Sequence, residues 1–117
     1  MSIFDRVITL ERLGGDAALL VEIAKLYAAT APTRLQMIGA ALADGNLDTV
    51  YREAHSLKGA TSVFEAPAAV ASLAELEGAA RSGDRAQVVP LASRVDKLVR
   101  ELIGHLESPA LLYSTGQ

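Results

Sequence analysis

Four residues near the middle of the chain have the types and spacing from which chemistry could be built: His55, Lys58, Gly59 and Ser62. On a helix, positions three, four and seven beyond a residue share its side, so the other three stand beside His55. Val50, Ala54, Leu57, Thr61 and Phe64 recur at spacings of four and three and form one buried stripe. At 3.6 residues per turn, His55 points roughly 140° away from the centre of that stripe, towards water. A neutral imidazole, abundant at pH 7 with a reference pKa of ~6.5, is a nucleophile without a strong base beside it. A serine in its place would need one. The expected site is therefore an exposed nitrogen nucleophile with a cation one turn along and a missing side chain beside it.

The elements that must hold these residues read as helices throughout. Residues 3–13 form a short amphipathic helix with Phe4, Val7, Ile8 and Leu10 as its apolar side. Gly14-Gly15 ends it and Asp16 caps the next helix, which carries Leu19, Leu20, Ile23, Leu26 and Tyr27. A break or kink is expected around Thr30-Ala31-Pro32, because proline disfavours helix at the residue before it. The period resumes through Leu35, Ile38, Ala41 and Leu42 and stops at Gly45. Asn46 then caps a central helix over residues 47–64.

Pro67 suits the first turn of a further helix, running through Val70, Leu73, Leu76 and Ala80 to Gly83. Asp84-Arg-Ala-Gln87 has the form of a capping box with Asp in the Ser/Thr place. It opens a last helix bearing Val88, Leu91, Val95, Leu98, Leu102 and Leu106. Nothing alternates with period two for long enough to make a sheet. The fold expected is all-α: an antiparallel four-helix bundle over residues 1–108, with the additional short N-terminal helix as a lid over one end. Residues 109–117 read as a loosely ordered tail, with Leu111, Leu112 and Tyr113 able to dock.

Composition narrows the function classes. A chain of 117 residues makes one domain, and 50% apolar residues with only 4% aromatic suit closely packed helices. A net charge of −3 and a pI near 5.3 lack the basic stripe a nucleic-acid partner would want. No apolar run approaches the ~20 residues that span a bilayer. The N-terminus lacks the pattern of a signal peptide, so a cytoplasmic protein is expected. With no cysteine and two histidines fifty positions apart, no metal site is expected. Gly14-Gly15 is not followed by the lysine of a phosphate loop and reads as a turn. His105, near a helix C-terminus, has a structural reading, its imidazolium suiting the helix dipole. Arg81, Arg85, Arg94 and Arg100 read as solvated faces, some of them rimming a partner surface.

The stretch Ala54-His-Ser-Leu-Lys-Gly-Ala60 resembles the signature of histidine-containing phosphotransfer (HPt) domains of two-component phosphorelays. Leu73-Ala-Glu-Leu-Glu-Gly-Ala-Ala-Arg81 is similar to that family's following helix, and Leu13-Gly-Gly-Asp16 and Pro32-x-x-Leu35 to its upstream helices. Together these cover most of residues 10–105. The resemblance implies a helical bundle whose His55 is phosphorylated on Nε2 by a receiver-domain aspartyl phosphate. Lys58 would then place positive charge near the phosphoryl oxygens, and Gly59 would let the partner come close. Ser62 would hydrogen-bond or be solvated. Glu77 would accept the Nδ1 proton and fix the tautomer. The family also implies that Mg²⁺ and the acidic residues holding it belong to the partner, with no cofactor bound by this chain. In one departure, Glu65 stands where the family has glycine ten residues after the histidine; Pro67 is expected to punctuate the turn instead, and Glu65 to bear on partner choice.

The leading reading is a free-standing, monomeric carrier that takes a phosphoryl group on His55 and passes it to another receiver. It has no ATP-dependent kinase activity of its own. The partners are receiver domains of response regulators or hybrid histidine kinases. A phosphoacceptor domain of a histidine kinase is the close variant, which the length and Met1 start disfavour. A different class is a non-transferring adaptor that binds a signalling partner with His55 incidental. A hydrolase using His55 as nucleophile would need convergent polar groups, and only one basic neighbour is present.

Overall fold

Side-chain caps and left-handed glycines delimit the helices in a computed structural model that describes residues 4–108. The Asp5 carboxylate accepts the Ile8 N–H at 3.1 Å and starts α1, Arg6–Arg12. Gly14 and Gly15, at φ +70° and +79°, take the left-handed turn that a side chain would resist. Asp16 then caps α2, Ala17–Ala43, accepting from Leu19 N at 2.9 Å. Asn46 caps α3, Leu47–Thr61, through Thr49 N at 3.1 Å. A 3-10 turn, Ser62–Phe64, follows directly. Pro67 opens α4, Pro67–Ser82, where its missing N–H costs nothing. Asp84 caps α5, Arg85–Leu106, accepting from Gln87 N at 3.3 Å.

Cross-helix pairs give the direction of packing. Tyr27 meets Thr61 and Arg34 meets Glu53, so α2 and α3 run in opposite senses. His55 meets Glu77 and Arg81 lies over Tyr51, so α3 and α4 do as well. α5 packs beside α4 and back onto α2, and α1 lies against the 3-10 turn and α2. The chain is thus an all-α helical bundle with the short first helix at one end. Among the described residues there is no strand, and no helix is long and apolar enough to cross a membrane.

The core draws on every long helix: Leu20, Tyr27 and Leu35 of α2, Val50 and Leu57 of α3, Leu73 and Leu76 of α4, Val95, Val99 and Leu102 of α5. Each fully buried Leu or Val contributes ~1.5–3 kcal/mol of transfer free energy. Alanines 24, 31, 41, 69 and 92 are buried between the helices and let the backbones approach closely.

Four expectations need correction. Helix α2 continues through Pro32 without interruption. Its neighbours Ala31 and Leu35 are both buried, and that packing outweighs the ~3 kcal/mol a proline costs inside a helix. The central α-helix ends at Thr61 and tightens into 3-10 geometry instead of reaching residue 64. The first helix begins at Arg6, and Val7 and Ile8 lie outward, 65% and 39% exposed, while Thr9 is buried and donates its hydroxyl to the Asp5 carbonyl at 2.6 Å. Leu19 and Leu26 of α2 are likewise exposed, so its apolar stripe is narrower than the periodicity suggests. The expected tail, 109–117, lies outside the described residues.

Candidate functional site

Burial of Val50, Ala54, Leu57 and Thr61 fixes the rotation of α3 and turns its opposite side to water. His55 stands on that side with 62% of its side chain exposed. Its Nδ1 lies 3.1 Å from Glu77 Oε2, contributed by α4. The other carboxylate oxygen, Oε1, lies 2.8 Å from Lys58 Nζ. One acidic side chain, itself only 15% exposed, therefore bridges the histidine and the lysine.

The electrostatics follow from those contacts. The hydrogen bond from Lys58 holds the Glu77 carboxyl below its usual range. Partial burial opposes this, and the His55 hydrogen bond and the two nearby charges reinforce it. Glu77 is thus ionised and can only accept, which assigns the His55 proton to Nδ1. Nε2, on the far side of the ring, carries a lone pair. Tyr51, one turn before His55, stacks along the imidazole with centroids 6.1 Å apart and planes 21° from parallel. The Arg81 guanidinium lies 5.9 Å from the Tyr51 ring centroid. The Tyr51 ring and the Glu77 carboxylate thus both adjoin the imidazole, and Lys58 holds the far oxygen of that carboxylate.

Gly59 sits beside this group in helical geometry. A Cβ added there would meet no atom within 4 Å, so nothing inside the protein requires the glycine. The hole expected beside the histidine is open space. Ser62 has a different place: its hydroxyl donates to the Gly59 carbonyl at 2.7 Å, satisfying an end-of-helix acceptor. At ~1.5 Å of rise per residue it lies ~10 Å along α3 from His55 and does not join the His55–Glu77–Lys58 group.

Behind the site, α3 is tied to α2. The Thr61 hydroxyl donates to the Leu57 carbonyl at 2.6 Å and accepts from Tyr27 OH at 2.7 Å. Burial pushes the Tyr27 hydroxyl up to about 12, against the lowering effect of the Thr61 bond. Phe64 meets the Tyr27 ring edge-to-face at 5.1 Å.

The turn out of α3 departs from expectation. Pro67 does not replace the missing glycine; Glu65 itself takes the left-handed conformation, φ 47° and ψ 60°. Its backbone carbonyl accepts from Asp5 N at 3.1 Å, and its carboxylate pairs with Arg12 at 2.7 Å. Arg12 also donates to the Ser62 carbonyl at 3.1 Å. A left-handed non-glycine residue costs of order 1 kcal/mol or more. An exposed ion pair contributes ~0.2–1 kcal/mol, so the pair at best offsets the strain.

The sequence pattern and the family resemblance point to His55, Lys58, Gly59, Ser62 and Glu77, of which Ser62 stands apart, and they mark neither Tyr51 nor Arg12. Tyr51 has a local signal, an aromatic residue four positions before the histidine. Arg12 has none, because its partners lie fifty residues away. Arg81, Arg85, Arg94 and Arg100 are all exposed, as expected. His105 is exposed in the last turn of α5.

Among the described residues, no group of three or more His, Cys, Asp or Glu could hold a metal ion. Compared with known proteins, the sequence model of the Hpt domain family matches residues 22–108, which contain most of α2 and all of α3, α4 and α5. No curated protein and no solved structure matches the chain.

Proposed function

Because the chain belongs to the Hpt domain family, whose members work in histidine phosphotransfer within phosphorelays and interact with receiver domains, we propose that His55 is its phosphoacceptor. It takes a phosphoryl group from a receiver aspartyl phosphate and passes it to a second receiver. The observation that carries this reading is the Nδ1 contact to Glu77, which leaves Nε2 of an exposed ring as the free nucleophile.

In the forward step, the Nε2 lone pair attacks phosphorus in line with the acyl-phosphate oxygen. An N–P bond forms, the P–O bond to the receiver breaks, and the electron pair leaves with the receiver's carboxylate. The imidazole gains positive charge as the bond forms. Glu77, ionised and 3.1 Å from Nδ1, offsets it without a proton having to leave. Lys58 lies one turn away, where its ammonium can exchange Glu77 for a phosphoryl oxygen. Gly59 leaves room for the receiver's backbone, and Ser62 contributes by finishing the helix that carries the site. Tyr51 holds the ring's plane. Phosphoryl transfer asks chiefly for positioning and neutralisation of charge, and the Mg²⁺ that supplies much of the latter would come with the receiver.

The protein in this reading is a cytoplasmic, monomeric carrier with no nucleotide chemistry of its own. The test is incubation with phosphorylated receiver domains, comparing wild type with His55→Gln by phosphate-affinity electrophoresis. Acid-labile, alkali-stable label on wild type alone is the expected result. Label that persists in His55→Gln refutes the assignment, and no label from a broad panel of receivers favours an adaptor.

A further inference from the structure

The phosphotransfer chemistry does not use the Arg12–Glu65 pair. It joins α1 to the end of α3, and it keeps a non-glycine residue in the left-handed region where the ion pair at best offsets the backbone cost. The ion pair alone therefore adds no net stability at that turn. Its place on the surface suggests a second role. A protein interface of ordinary size covers about 800 Å² on each partner, a disc of roughly 16 Å radius. Centred on His55, such a disc reaches past Ser62, ~10 Å along α3, to the guanidinium that binds the Ser62 carbonyl.

Arg12 is 53% exposed and Glu65 30%. Of the five guanidinium N–H groups, one is directed to the Ser62 carbonyl and another faces the Glu65 carboxylate, so donors remain for an outside acceptor. Ile8, one turn before Arg12 on the same side of α1, adds an exposed apolar contact. We propose that Arg12, held in place by Glu65, is a partner-selecting residue on the docking face: it favours receivers that present a carboxylate at the rim of that face, ~10 Å or more from the phosphorylated aspartate. This inference rests on the phosphotransfer reading and adds to it which charge the partner must carry.

The test measures initial rates of phosphotransfer from a panel of phosphorylated receivers, at low and at physiological salt. Wild type is compared with the exchange Arg12→Glu with Glu65→Arg, with Glu65→Gly, and with the exchange Asp96→Arg with Arg100→Glu. The last pair is an exposed contact on α5, which packs on α2 and α4, and serves as the control. The Arg12/Glu65 exchange should slow transfer from the preferred receiver at least ~fivefold, change the order of preference, and lose much of its effect at higher salt. The control exchange should leave the order intact. Should the Arg12/Glu65 exchange fold poorly by circular dichroism, Glu65→Gly carries the test, since glycine suits that backbone and frees Arg12; it should narrow the spread of rates. If wild type is labelled on His55 and both variants keep its order and spread, this inference fails and the carrier reading stands. If wild type accepts nothing from any receiver, both fail.

Discussion

Replacing Gly59 separates what helix physics wants from what docking wants, because the two predictions have opposite signs. Glycine inside a helix costs ~0.8–1 kcal/mol relative to alanine, and leucine ranks close to alanine. A Cβ at position 59 meets nothing within 4 Å, so Gly59→Ala and Gly59→Leu should both raise stability, by about 0.5–1 kcal/mol so near the end of α3. For a domain this size that is an increase of a few degrees in Tm. Gly104 is the matched control: also in open space, also two positions from its helix end, and on α5. Gly104→Ala and Gly104→Leu should stabilise similarly. Function should divide them. A leucine at 59 stands between the incoming receiver and Nε2, and a displacement of about 1 Å at a reacting centre can cost ~10²-fold in rate. Phosphotransfer from a receiver should therefore fall at least tenfold in Gly59→Leu, less in Gly59→Ala, and stay at wild-type level in the Gly104 variants. Thermal melts and single-turnover transfer assays read the two quantities. Unchanged transfer in Gly59→Leu, or a loss of stability in Gly59→Ala, would refute the reasoning.

Other outcomes follow from individual contacts. Leu57→Ala, at 1% exposure, should cost ~2–5 kcal/mol in urea unfolding, whereas His55→Gln on the opposite face should stay within about 1 kcal/mol. Since Glu77 is held below its ordinary value of 4.5, its contribution to stability is complete above that pH and disappears as pH falls through its folded-state pKa. Glu77→Gln should accordingly flatten the stability profile on the acid side of pH 4.5, and an unchanged profile between pH 3 and 5 counts against the bridge to Lys58 and His55. Tyr27→Phe leaves the Thr61 hydroxyl without its donor in the core and should cost about 1 kcal/mol by chemical denaturation.

Where a local rule decides the structure, the chain is legible. Asp16, Asn46 and Asp84 cap helices because their side chains accept from backbone donors three residues on, and Gly83 ends one in the left-handed conformation. The spacing of Val50, Ala54, Leu57 and Thr61 is enough to place His55 outward. Local rules fail where packing overrides them. Pro32 breaks no helix because Ala31 before it and Leu35 one turn after it are locked into the core. Val7 and Ile8 follow a helical period, but a helix of seven residues is oriented by Thr9 and by Phe4 on Phe64, not by its own stripe. The Arg12–Glu65 contact belongs to tertiary structure alone. Its only trace in the chain is a glutamate at a position where the family has glycine, and that substitution is what places a carboxylate within reach of Arg12.

The most direct test of the central claim is a long-range ¹H–¹⁵N correlation spectrum of the imidazole nitrogens, recorded before and after phosphorylation by a phosphorylated receiver. Neutral His55 should carry its proton on Nδ1 in the free protein, and phosphorus–nitrogen coupling should then appear at His55 Nε2, with His105 unchanged. A proton on Nε2 in the free protein, or coupling at Nδ1 or at His105, would contradict the claim.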